Sequence, residues 1–307
     1  MKPKAIIAIA TFAIGASGAV AAPALLPTNK IIEWTANANG KPTTYRFKDL
    51  TVTLSSEPGR RDERPIPVIV VRSPGAKPLR VKGPRGFDRA AANFGVMRLN
   101  NESRLPHVVF GAYSGGAHCC TEIYVLEFRN NVWKKIVIGA WDMDNLSALP
   151  TDYDGDGIAD FIYTDPKFPY TFDSFAYSWP PPFVLNVVGG VANDVSKDTK
   201  YRPLFRDDMK EAKAKCAAHQ NGACAGYVAD ATYLGLYKEA WAFMLAHYDK
   251  KAQREWANYP PRCDGKVILA NCNGTVVEPR DFPEALRWFL EDLGYVDPKD
   301  RITAIKP

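Results

Sequence analysis

The apolar positions of the chain change period along its length. From residue 107 to about 191 they alternate or form short unbroken runs, the pattern of β-strands. Strands are predicted at 107–113, 121–128, 133–138, 158–163 and 183–188, with Arg129-Asn130-Asn131 as a hairpin turn between the second and third. Residues 22–106 are richer in Pro, Gly, Lys and Arg. There 51–54 alternates, 67–71 is a β-branched run, and 43–47 is a further strand candidate. Closely spaced strands with short turns predict antiparallel sheets. After Asp194 the period lengthens to that of a helix. Residues 207–218 are charged and helix-prone. Asp230 is placed to cap a helix carrying Leu234, Tyr237, Trp241, Leu245, Tyr248 and Ala252. Asp281 caps another, with Pro283 early, Glu284 three residues after the cap, and Gly294 as the stop. The expected fold is α+β. An N-terminal antiparallel β domain at 22–195 is followed by a smaller, mainly helical domain at 196–307.

One stretch has a pattern of its own. Phe168, Tyr170, Phe172, Phe175, Tyr177 and Trp179 alternate with small residues or Pro. A turn at Asp173-Ser174 would pair these rings on one face of a hairpin. Such a face covers a core in the commoner case. Its alternative is a stacking surface for sugar rings, with Tyr170, Tyr177 and Trp179 as the residues to test.

The chain begins Met1-Lys2-Pro3-Lys4, continues apolar or small through Val20, and offers Ala19-Val20-Ala21 as a cleavage site. This is the pattern of a secretory signal at 1–21, removed before Ala22. The apolar run is short for a membrane span, which needs ~20 residues. No later segment reads as a span. The expected location is periplasmic or secreted. The formal charge is +5, of which Lys2 and Lys4 supply two. The remaining charges are mixed along the chain, with no basic stripe to argue for nucleic acid. The six cysteines (Cys119, Cys120, Cys216, Cys224, Cys263 and Cys272) all follow the signal. An even number in an exported chain favours disulfides. The local pairs Cys216–Cys224 and Cys263–Cys272 are the simplest connectivity and would tie the helical domain.

Asp152-Tyr153-Asp154-Gly155-Asp156-Gly157-Ile158-Ala159-Asp160 reads D-x-D-G-D-G-x-x-D. Carboxylates at alternating positions can curl around one hard cation, and Gly157 permits the sharp turn. Without a cation, so many negative groups in one turn repel one another. The loop resembles the calcium loops of FG-GAP and VCBS repeats, which share the first half of an EF-hand loop. The resemblance covers one repeat's worth of chain. It implies Ca2+ held by Asp152, Asp154, Asp156 and Asp160, with Ile158 giving its backbone carbonyl, and a strand following the loop.

The other distinctive segment is Gly115-Gly116-Ala117-His118-Cys119-Cys120. A GGAHCC string upstream of a DxDGDG loop resembles uncharacterised exported bacterial proteins, which implies no activity. Structural disulfides, a metal or redox site, and a cysteine nucleophile compete here, in that order. Adjacent His and Cys side chains diverge on a strand, so His118 is a poor base for Cys119. His107, His219 and His247 are the other candidates for a base. Glu122, Asp142, Asp144 and Asp173 could supply carboxylate pairs for a hydrolase acting on a cell-envelope polymer. The leading expectation is an exported calcium-binding protein that binds an envelope glycan or protein partner without catalysis.

Overall fold

The computed structural model describes residues 24–25, 29–36, 41–58, 65–85, 90–114, 120–142, 146, 148–252, 259–269 and 271–301. The expected signal at 1–21 lies outside them, as do His118, Cys119 and Asp144. The strands in chain order are β1 (Ala24–Leu25), β2 (Ile31–Thr35), β3 (Thr43–Phe47), β4 (Leu50–Glu57), β5 (Ile66–Arg72), β6 (Leu79–Lys82), β7 (Ala91–Met97), β8 (His107–Tyr113), β9 (Thr121–Arg129), β10 (Val132–Trp141), β11 (Asp160–Thr164), β12 (Pro182–Val188) and β13 (Val191–Asp194). They form three sheets, ordered β1-β3-β4-β5-β6, β10-β9-β8-β7-β2 and β11-β12-β13. Every pairing is antiparallel except β1 with β3.

The second sheet is the middle layer. One face packs Phe94, Val108, Phe110 and Leu126 against Leu50, Val52, Leu54 and Ile69 of the first sheet. The other packs Val109, Ile123, Val125 and Ile136 against Phe161, Leu185 and Val187 of the third. Strands buried on both faces read as continuous apolar runs, which explains HVVFGAY and TEIYVLEF. By contrast β4 alternates, with Leu50, Val52 and Leu54 turned to the core. Asn130 and Asn131 both take positive φ (51° and 61°), the hairpin geometry that sets Arg129 opposite Val132. The edge strand β10 carries Lys134, Lys135 and a register shift between Val137 and Gly139. Charges and bulges of this kind oppose edge-to-edge aggregation. The sequence pattern does not announce β1, β2, β6, β7 or β13. In β7, Gly95 interrupts the apolar run because a Cβ there would sit 2.8 Å from Leu149 and 2.9 Å from the Lys30 carbonyl.

The C-terminal region contains α1 (Arg202–Ala217), α2 (Asn221–Leu234), α3 (Tyr237–His247) and α4 (Phe282–Asp292). It also holds a small sheet of β14 (Arg262–Cys263), β15 (Lys266–Val267) and β16 (Val276–Val277). The disulfide Cys216–Cys224 joins the end of α1 to the start of α2, and Cys263–Cys272 closes the loop around β14 and β15. The fold is α+β, with antiparallel sheets first and a disulfide-tied helical region after. The start of α4 follows the expected chemistry. Asp281 accepts the Glu284 N–H at 2.9 Å, and Glu284 accepts the Arg280 N–H at 2.9 Å. Beyond its end, Gly294 has φ 82°, and the Tyr295 and Val296 N–H groups return to the Leu290 carbonyl.

Two expectations are corrected. The aromatic stretch is not a hairpin: residues 165–181 form turns and a short 3-10 segment, Phe175–Tyr177. Phe168 and Phe172 point into the helical core, each with its ring centroid 5.0 Å from that of Phe289, whereas Tyr170 and Tyr177 are exposed. Packing against α4 outweighs cross-strand pairing, and two rings of this size contribute about 1.5–3 kcal/mol each when buried. Asp230 does not cap a helix either. It lies in α2, fully buried, and the stripe expected on one helix is split between α2 and α3 by Gly235 at φ 78°.

Among the described residues, no N–H or O–H group donates to either carboxyl oxygen of Asp230. Its hydrogen-bonding neighbour is the Asp208 carboxyl of α1, which also accepts the Trp179 indole N–H at 2.9 Å. Two carboxyl groups share such a contact only through a proton, and the deep burial of Asp230 favours keeping it there. Burial, followed by the Asp208 charge, raises its pKa well above the ordinary 3.8. The unfolded chain releases that proton above its ordinary value, so it binds fewer protons than the native chain. This contribution to stability is full at low pH and is lost as pH rises towards the native pKa. Asp230→Asn supplies a donor that cannot ionise. At pH 7.5 it should raise the melting temperature by ~2–4 °C, about 1 kcal/mol at this chain size, with a smaller gain at pH 4. An unchanged or lower melting temperature at pH 7.5 would contradict the shared proton.

Candidate metal centre

The acidic loop sits between a two-bond bridge. Thr151 and Asp160 exchange backbone hydrogen bonds of 3.3 and 2.8 Å, and the Ala159 N–H reaches the Leu99 carbonyl at 2.7 Å. Between them the backbone curls around its own side chains. Asp152 Oδ1 accepts the N–H groups of Gly155 and Asp156 at 2.8 and 3.0 Å, and its Oδ2 accepts that of Gly157 at 2.9 Å. Asp154 Oδ1 accepts the Asp156 N–H at 3.1 Å, and Asp156 Oδ1 accepts the Ile158 N–H at 2.9 Å. Gly155 and Gly157 make the curl possible with φ of 79° and 86°. One carboxylate oxygen each from Asp152, Asp154 and Asp156 falls within 4.8 Å of the others, so the three could hold a metal ion.

Two residues far along the chain complete the surroundings. The Lys200 ammonium lies 2.8 Å from Asp154 Oδ2 and 2.9 Å from Asp156 Oδ2. It holds the Asp154 carboxyl below the usual range, and the two carboxylates in turn raise the lysine. The Tyr201 hydroxyl donates to Asp160 Oδ1 at 2.7 Å and also reaches Asp154. Asp160 is 2% exposed and accepts the Tyr153 N–H at 3.0 Å. Burial raises the Asp160 pKa, and the Tyr201 bond opposes that rise. Asp160 thus stands behind the three converging carboxylates, joined to Asp154 through one hydroxyl. Ile158 is half-buried beside them. Nothing in the loop motif points to Lys200 or Tyr201. They belong to the turn that leads into α1, and only the folded chain brings them here.

The other sequence candidates are dispersed. Trp179 is half-buried, with the Lys215 ammonium 5.0 Å from its ring. Tyr170 has φ 63° and its ring packs 5.5 Å from Phe175. Cys120 is disulfide-bonded, and no cysteine among the described residues is free. His107 is fully buried. Its Nδ1 accepts the Leu99 N–H at 3.2 Å and its Nε2 lies 3.5 Å from Glu127 Oε1. Burial lowers its pKa to about 4, so it is neutral at physiological pH. His219 Nδ1 contacts the His247 carbonyl at 2.6 Å, and the His247 ring stacks 4.0 Å from Phe243. Glu122 accepts from the Tyr124 hydroxyl, while Asp173 accepts from the backbone of Ser174 and Gly222.

Residues 203–294 match the sll0997 C-terminal domain family. The match covers the helical region and leaves the acidic loop outside it. The chain is 30% identical over 213 residues to the "Probable thylakoid lumen protein sll0997" of Synechocystis sp., an alignment covering 66% of this chain and 60% of that protein. It is 27% identical over 283 residues to the "Uncharacterized protein y4bJ" of Sinorhizobium fredii, covering 89% of this chain and 43% of that one. The chain thus spans about half the length of the curated relatives it matches. No solved structure matches it. Among the described residues, no helix is long and apolar enough to cross a membrane.

Tyr201→Phe removes the hydroxyl shared by Asp160 and Asp154 and leaves a buried carboxylate short of a donor. Urea unfolding should show a loss of about 1–3 kcal/mol. A loss below half a kcal/mol would mean that this bond does not hold the loop.

Proposed function

We propose that this chain is an exported protein of the cell envelope whose acidic loop binds Ca2+ as a structural brace, and which binds an envelope ligand or partner without catalysis. The observation that carries the reading is the convergence of Asp152, Asp154 and Asp156. The donors are all hard oxygens, with no thiolate or imidazole among them, which favours calcium over softer metals. The ligand set is the three aspartates, the Ile158 carbonyl and Asp160. Each Asp160 oxygen engaged by Tyr201 or Tyr153 keeps a lone pair for the ion. The likeness of D-x-D-G-D-G-x-x-D to FG-GAP and VCBS loops supports the same set. Lys200 is the chain's own cation at this place, and the ion would displace it from Asp154 and Asp156.

Export is supported by the N-terminal pattern, by the disulfides, and by a relative named as a lumen protein. Cleavage before Ala22 would leave a β-rich domain at 22–195 and a helical domain at 196–307. With Lys200 displaced, the calcium loop stays tied to the segment that enters α1 through the Tyr201 hydroxyl on Asp160, and the ion braces β11 against that segment by fixing Asp160. The rival reading, a hydrolase of an envelope polymer, would show itself as release of soluble fragments from cell-wall material.

Titration of the metal-stripped mature protein with calcium, followed by calorimetry and thermal melting, tests the reading. One site is expected, and saturation at a hundredfold excess over Kd adds about 2.7 kcal/mol, or ~5–10 °C in melting temperature. Asp156→Asn should abolish the heat. Lys200→Met should tighten calcium binding by about tenfold, ~1.4 kcal/mol, because the competing cation is gone. Absence of both heat and shift in the parent protein would reduce the loop to an acidic turn neutralised by lysine.

A further inference from the structure

A second site lies on the far side of the segment that carries Lys200. A cleft of about 800 Å3 opens between the C-terminal ends of α2 and α4 and the start of α3. This is within the ~300–1,000 Å3 of small-molecule sites. Tyr233 and Tyr295 line it with rings that are already fixed. Tyr233 packs 4.3 Å from Phe205, and Tyr295 stacks 5.8 Å from Phe289 while its hydroxyl bonds Asp165. Tyr237 and Glu291 also line it, 4% and 8% exposed. Among the described residues, the Tyr237 hydroxyl and Glu291 Oε1 have no hydrogen-bond partner, although buried polar atoms are costly to leave unpaired.

The lining chooses among ligand classes. Five basic side chains of the lining, Arg202, Lys238 and Arg301 among them, are set against four acidic ones, so the two signs nearly cancel and no single-sign field draws a polyanion or polycation. The partial negative charge of the two helix C-termini is opposed by the partial positive charge of the α3 N-terminus, so the helix ends add no strong preference for an anion. Aromatic faces with unpaired hydroxyl and carboxyl groups suit a molecule whose hydroxyls both donate and accept. We propose that this cleft binds a neutral saccharide, with Glu291 Oε1 accepting from a sugar hydroxyl, Tyr237 bonding the same or a neighbouring hydroxyl, and the half-buried Tyr233 covering a ring face. In the present geometry neither polar atom is open to solvent, so ligand entry turns these two side chains towards the cleft. The inference deepens the envelope-binding reading and rests on it for the source of the sugar, but not on the metal.

The mature chain, with and without calcium, is titrated calorimetrically with maltose, cellobiose and N,N′-diacetylchitobiose, and with glucuronate as the charged control. At least one neutral sugar should bind, and bind more tightly than glucuronate. Tyr237→Phe should weaken that binding by about tenfold without lowering the melting temperature, because the hydroxyl makes no bond to the described residues of the free protein. Glu291→Gln should weaken it comparably. No heat from any neutral sugar at millimolar concentration, preferred binding of glucuronate, or affinity untouched by both substitutions would overturn the proposal. Calcium binding without sugar binding removes this inference alone. Sugar binding without calcium binding removes the metal reading and leaves the cleft.

Discussion

The acidic loop imposes the constraint on which the surrounding structure turns. Asp152, Asp154, Asp156 and Asp160 follow one another so closely that their charges must be answered from outside the loop. Backbone N–H groups answer part of it, but they are dipoles, not charges. The net positive charge comes from Lys200, and the buried remainder is handled by the Tyr201 hydroxyl, which reaches both Asp160 and Asp154. Because these two residues are consecutive, compensation fixes the path of the chain just before α1. Tyr201 is itself 2% exposed and packs with Phe205 and Val184, so the polar contact and the apolar one are made by a single side chain. Either alone would leave the turn free to pivot.

The three stacked sheets place this loop. Its flanking strand, β11, is the outer strand of the third sheet, and Phe161 buries one face of it against the middle sheet. The neighbour β12 begins with Pro182, opposite Thr164. A proline here costs no ladder bond, since the Thr164 carbonyl instead accepts the Trp141 indole N–H at 2.9 Å. The loop therefore hangs from a strand anchored on one face by the core and at its end by a tryptophan. This rigidity lets an exposed, glycine-containing turn hold three carboxylates together.

The parts of the molecule that were legible in the sequence are those decided by local pattern. The strands 107–113 and 51–54 were readable because burial on two faces, or on one, prints directly on the sequence as a run or an alternation. The Asn130-Asn131 turn and the Asp281 cap were readable because their chemistry lies within a few residues. Where distant packing decided, the sequence misled. The rings of 168–179 alternate as a strand would, yet Phe168 and Phe172 are claimed by α4 more than a hundred residues later. Asp230 has the chemistry of a cap, yet Gly222 and Gly226 let α2 begin earlier and press against residues 177–179: a Cβ at Gly226 would lie 2.1 Å from the Trp179 carbonyl oxygen. The loop motif disclosed three converging carboxylates and nothing of Lys200 or Tyr201, since compensation of charge leaves no local trace.

A boundary drawn at residue 195 from the change of period has a different meaning once contacts are considered. Lys197 donates to the Gly294 carbonyl at 2.6 Å, Lys200 and Tyr201 face the acidic loop, and Arg202 lines the cleft beyond. The segment that looks like a linker is thus the wall of one site and the counter-charge of the other. Separating the chain there would strip the buried Asp160 of its hydroxyl donor and leave Phe168 and Phe172 with no helical core to enter. Composition marks where one kind of secondary structure gives way to another. Cooperative units are set by where charges are compensated and rings are buried, and by that measure the β-rich and helical parts meet in a shared seam at 197–205.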